Sequence, residues 1–118
     1  MIMRNFLCII FVFNFNILLS QEWDFDITDS NMTIQVSSDV VFLDGLEPPI
    51  GSLLGAFFIN NNNNFICAGY QEWTGDQLAI ALWASEAGSD NGFSPNETIN
   101  WFILVDEQTY QSSSVIMN

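Results

Sequence analysis

"LLGAFFINNNNNFICAGYQEW", residues 53–73, is the stretch on which the fold turns. Two apolar runs rich in aromatic and β-branched residues flank five consecutive asparagines at 60–64. Each run has the length of a strand, and neither carries the three-to-four spacing of a helical stripe. Both are apolar at nearly every position, as strands of a sandwich core are. Asparagine tolerates left-handed backbone and hydrogen-bonds its own chain, so the run can close a short antiparallel hairpin without glycine. Five asparagines are too few for a prion-like tract. The expectation is a solvated, replaceable hairpin tip.

Outward from this hairpin the same pattern repeats. "EWDFDI" (22–27) and "NMTIQV" (31–36) alternate apolar with polar residues, which places Trp23, Phe25 and Ile27 on one face and Met32, Ile34 and Val36 on one face. "DVVFL" (39–43) reads as a short buried strand, and "DGLEPPIGS" (44–52), with two prolines and two glycines, reads as turns. "QLAIALWAS" (77–85) alternates Leu78, Ile80 and Leu82 against Ala79, Ala81 and Trp83, which favours a strand over a helix. "SEAGSDNGFSPNE" (85–97) is a long loop in which Asn91 and Gly92 are expected to supply positive φ. "TINWFILVD" (98–106) sets Ile99, Trp101, Ile103 and Val105 on one face, and the tail "TYQSSSVIMN" suits a last edge strand. Seven or eight short strands and no helix predict an all-β fold, a two-sheet antiparallel β-sandwich of jelly-roll or immunoglobulin-like topology.

The first residues obey a different logic. "MIMRNFLCIIFVFNFNILLSQ" has a single cation at Arg4, an apolar stretch over 6–19 and a small residue at Ser20, the order of a secretory signal peptide. Asn14 and Asn16 interrupt the stretch, which falls short of the roughly 20 apolar residues that cross a bilayer. Cleavage after Ser20 is therefore expected, leaving residues 21–118 as a single small domain. Cys8 would leave with the leader and Cys67 would remain alone, so no internal disulfide is expected.

Arg4 is the chain's only basic residue, whereas all 14 acids follow position 20. A domain without Lys or Arg has nothing to neutralise phosphates, which argues against nucleic-acid partners and anionic membrane surfaces. There is no His, so neither a Ser–His–Asp nor a Cys–His arrangement can be built. Carboxylate chemistry survives, with Glu72, Asp76, Glu86, Asp90 and Glu97 as candidates for a small glycoside hydrolase, although so short a domain has little room for core and cleft together.

Two binding sites suggest themselves. Glu86, Asp90, Asn91 and Glu97 bring oxygen ligands into one loop, as calcium requires, but without the alternating acids of an EF-hand. The competing reading makes the same loop a plain connection between strands. Tyr70, Trp73 and Trp83 form the second set. Trp73 and Trp83 flank a turn or end a strand and are the tryptophans expected at the surface, where they could stack on neutral sugar; packing is the alternative for each. Trp101 is expected in the core.

In order, "GSLLGAFF", "CAGYQEWTG" and "LAIALWASEAGSDNGFSPNETINWFI" resemble a module that recurs in large exported proteins of Bacteroidota, with the pattern "GD.IG.F", "C.G...W.G", "AI..WGDD" and "DGF..GE...W.I". The resemblance spans about residues 34–104. Ser52 stands where the pattern has an acid, Ala84 and Ser85 replace its glycine and first acid, and Pro95 and Asn96 replace its small-Gly pair. An acid cluster of that kind is thinned here to Glu86 and Asp90. The resemblance implies a secreted, surface-associated β-module, often one part of a longer polypeptide, and carries no established activity. Together these readings predict a secreted, non-enzymatic binding or adhesion module of the cell surface, with a glycan or a surface protein as partner, no resident cofactor, and calcium as an open question.

Overall fold

A computed structural model describes residues 7–17 and 23–117. The strands are β1 (Leu7–Ile17), β2 (Asn31–Val36), β3 (Val41–Leu43), β4 (Leu53–Ile59), β5 (Phe65–Glu72), β6 (Leu78–Trp83), β7 (Asn100–Val105) and β8 (Gln108–Met117). The described residues contain no helix. The fold is all-β, with two sheets of order β3-β1-β8-β7-β4-β5 and β2-β6. Every pair is antiparallel except β1 with β3.

β1 lies within the segment read as a leader, so that segment holds a strand position in the uncleaved chain. β8 therefore sits between β1 and β7 there, where the sequence had suggested an edge. A fate as leader remains an expectation for this segment.

The larger sheet has apolar residues on both faces because β4 and β7 are apolar at nearly every position. Leu54, Ala56, Phe58, Trp101 and Ile103 face Val36, Ile80 and Leu82 of the small sheet and form the main core with them. The opposite face carries Phe57, Cys67, Phe102 and Leu104, and Trp23 closes over them. Residues 23–28 are extended but join no ladder, a departure from the strand expected there. Trp23 and Phe25 point inward as the alternation requires, whereas Ile27 is 73% exposed, because the segment turns away to lead into β2. The Trp23 ring lies on Gly55, where an added Cβ would come within 2.6 Å of it. It meets Phe57 edge-on at 5.1 Å between ring centres, so a side chain at position 55 would displace the lid of the second cluster.

A one-residue bulge in β5 sets the parity of everything after it. Ala56 faces Gly69, but its neighbour Phe57 faces Cys67, leaving Ala68 as the extra residue. The side-chain period of a strand is two, so an inserted residue moves all later side chains to the opposite face. Phe65 and Cys67 join the outer cluster and Ile66 and Ala68 the inner one; beyond the bulge Tyr70 goes outward and Trp73 inward. Gly69 occupies the bulge because a Cβ there would collide with the Ala81 carbonyl of β6, where the two sheets approach each other.

The hairpin tip follows the sequence closely. Asn60 accepts the N–H groups of Asn62 and Asn64 on its side-chain oxygen, both at 2.9 Å, and Asn63 takes φ 63°. The N–H of Asn60 donates to the Asn64 carbonyl at 3.0 Å, closing the loop.

Candidate functional site

The end of the sandwich that carries this tip is built from loops. Residues 85–97 return from β6, and their first half is tied to itself. The Glu86 N–H donates to Asn91 Oδ1 at 3.1 Å, Asn91 Nδ2 donates to Glu86 Oε1 at 3.4 Å, and Ser85 Oγ donates to the Ser89 carbonyl at 2.6 Å. The second half crosses back through paired bonds, Ser85 N–H to the Phe93 carbonyl and Phe93 N–H to the Trp83 carbonyl. Positive φ falls at Gly88 and Asn96, not at Asn91 and Gly92 as expected from the Asn-Gly pair. Asp90 Oδ2 accepts the Asn61 N–H at 2.7 Å, which docks this loop on the asparagine tip. The tip is exposed, as the sequence suggests, and is held in addition by this one contact from a neighbouring loop.

The four calcium candidates do not converge. Asp90 caps Asn61, Glu86 and Asn91 bind each other, and Glu97 Oε1 accepts the Ser94 N–H at 2.8 Å. Among the described residues no three acids or cysteines are grouped so as to hold a metal ion. The connecting-loop reading accounts for every one of these contacts.

The aromatic candidates are dispersed as well. Trp73 is fully buried in the main core, a correction to its expected exposure, and the bulge is the reason. Its indole N–H has no partner among the described residues, a local cost that the surrounding burial offsets. Tyr70, half-buried on the outer face, meets Trp23 and Phe25 edge-on at 5.8 and 5.6 Å. Trp83 is half-buried at the end of β6, opposite Asn31. Tyr70, Trp73 and Trp83 therefore occupy the outer face, the inner core and the second sheet, and they form no common platform.

What this end of the sandwich does contain is open space. A cavity of about 500 Å³ lies between the start of β2, the end of β6 and residues 93–97. Ser30, Asn31, Ser85, Ser94, Asn96 and Glu97 give it a polar wall, and Met32, Leu82, Phe93 and Pro95 an apolar one. Thr28 shapes the rim. Its buried hydroxyl lies 2.6 Å from the Ala84 carbonyl and 3.0 Å from that of Ser30, so it fixes the entry to β2 against the exit of β6. Met32, expected to face the core, is 49% exposed because the first turn of β2 borders this opening. A second cavity of about 380 Å³ is lined by Ile59, Glu97, Thr98 and Asn100, so Glu97 belongs to both.

Of the five acids considered for hydrolysis, only Glu97 lines either of these cavities. The polar lining residues that sequence reasoning missed are serines, asparagines and a threonine in loops or at the first position of a strand. Such residues are ordinary turn formers, and no spacing in the sequence marks them as belonging together.

Compared with models of protein families, with curated proteins and with solved structures, the chain matches none. The resemblance over residues 34–104 thus stands on its quoted motifs alone.

Proposed function

We infer that the chain is an exported, non-enzymatic binding or adhesion module of the bacterial cell surface, and that the 500 Å³ cavity between β2, β6 and residues 93–97 is where it takes its ligand. The observation that carries this reading is the lining: hydroxyls, amides and one carboxylate over an apolar wall. Two-acid hydrolysis needs a second carboxylate across the cleft, and Glu97 has none among the residues lining either cavity. The leader-like segment and the resemblance to exported modules support the location.

The test joins localisation to binding. Expressed with its own N-terminus in a bacterial host, the protein should leave the cytosol as a chain beginning at Gln21. The purified 21–118 domain should then bind envelope preparations of the native host, and Ser94→Trp, which fills the mouth of the cavity from an exposed position, should abolish that binding. Recovery solely from cytosol with residues 1–20 attached would reject export. Envelope binding unaffected by Ser94→Trp would reject the cavity as the site.

A further inference from the structure

We propose that the two cavities at the loop end form one continuous path for a linear, uncharged carbohydrate, with Glu97 at the point where they meet. This deepens the binding-module reading and rests on it. Three observations converge on the ligand class.

The first is geometric. The two cavities share Glu97 as a lining residue, the first lined also by Ser30 and Asn31 and the second by Thr98 and Asn100. A ligand that fills both would be elongated and would pass Glu97. Glu97 has one oxygen engaged by the Ser94 N–H, and its second oxygen has no partner among the described residues.

The second is the hydrogen-bonding character of the wall. The side chains of Ser30, Asn31, Ser94 and Asn96 have no partner among the described residues and face solvent. Hydroxyls and amides each donate and accept, and a sugar hydroxyl does both, so a ring of such side chains satisfies it from several directions. Met32 and Pro95 supply apolar surface for the C–H face of a sugar ring.

The third is charge. Residues 21–118 contain no Lys, Arg or His, and the single charged group on the path is an acid. Phosphorylated, sulfated and uronic-acid chains would meet repulsion with nothing to pair against, which excludes anionic chains.

The experiment is calorimetric titration of the protein as purified from its host with neutral gluco-, manno- and xylo-oligosaccharides of one to six residues. In the series that binds, affinity should rise with length until both cavities are occupied and then level off. Asn96→Gly removes the amide yet keeps a backbone suited to φ 65°, and should weaken every length by about three- to tenfold, the loss of one hydrogen bond. Thr98→Val removes a hydroxyl from the second cavity at nearly constant shape, and should weaken only the longer members by a similar factor. Unchanged urea midpoints would show that both variants fold.

Affinity independent of length, or Thr98→Val without effect on the longest members, would overturn the continuous path. If uncharged extended peptides bind with sensitivity to Asn96→Gly while no oligosaccharide does, the carbohydrate proposal falls and the binding-module reading stands. If the domain binds no host envelope at all, that reading falls first.

Discussion

Cys67 is the one thiol in residues 21–118, and its surroundings disarm it. It packs among Trp23, Phe57, Phe102 and Leu104 in the outer cluster. Burial pushes the thiol up from its ordinary 9.0 to about 12, against a smaller lowering by a backbone hydrogen bond at Gly69. The thiolate is the reactive form, so an aromatic disulfide reagent at pH 8 should label native protein no faster than the protein opens, and unfolded protein at once. Because the folded value lies above the unfolded one, the contribution of Cys67 to stability is intact below about pH 9 and is lost as pH climbs from 9 toward 12. Urea midpoints should accordingly fall more steeply over that window in the native sequence than in Cys67→Ala. Parallel pH profiles for the two proteins would show that the thiol is not buried in solution. At the same scale Trp73 shows how one residue escapes sequence reading. It was placed at the surface because it borders the polar "TGDQ", yet it fills the core.

The cause lies at the scale of the element. Strand alternation is legible wherever the period of two runs unbroken: β6 buries Leu78, Ile80 and Leu82 as its pattern states, and β7 splits Trp101 and Ile103 from Phe102 and Leu104 between two clusters. β5 breaks the period once, at Ala68, and every side chain beyond it lies on the face opposite to the one an unbroken alternation gives. The available signal was Gly69, since a glycine inside an apolar strand often marks a bulge or a close backbone approach. Here it marks both. Gly69→Ala would drive a Cβ into the Ala81 carbonyl and must either push β6 away or undo the bulge. The expected cost is about 3 kcal/mol, the upper end for overpacking, read as a lowered urea midpoint. A loss below about 0.5 kcal/mol, within the range of an ordinary surface change, would mean that the sheets do not meet at this point. The asparagine hairpin was legible for a related reason: its turn chemistry is local, written in Asn60 and Asn63. The cavity lining was not. Ser30, Asn31, Ser94 and Asn96 come from separate elements, and only the pairing of β2 with β6 and the return of the loop to Trp83 bring them together.

For the whole molecule the question is what residues 1–20 contribute. Among the residues whose side chains are described, the two hydrophobic clusters run from Trp23 on the outer face to Tyr110 in the main core. Hydrophobic burial is the principal driving force of folding, so if cleavage follows the leader reading, the 21–118 domain must hold its fold on these clusters. β1, however, is the shared neighbour of β3 and β8, paired from Leu7 opposite Met117 to Ile17 opposite Thr109. Without β1, β8 becomes an edge strand that carries no charged residue along its ten positions, and natural edges are commonly blunted by charge or proline. Cleavage should therefore leave the core intact and open one edge. Hydrogen exchange of the 21–118 domain should show β4 and β7 amides protected as in the full chain, while amides in β8 that face β1 exchange much faster. If the shortened chain is unfolded, residues 7–17 are part of the domain and the leader reading fails. If β8 stays protected, a second copy or another strand has taken the place of β1, and protection that falls away on dilution would identify that partner as the chain itself.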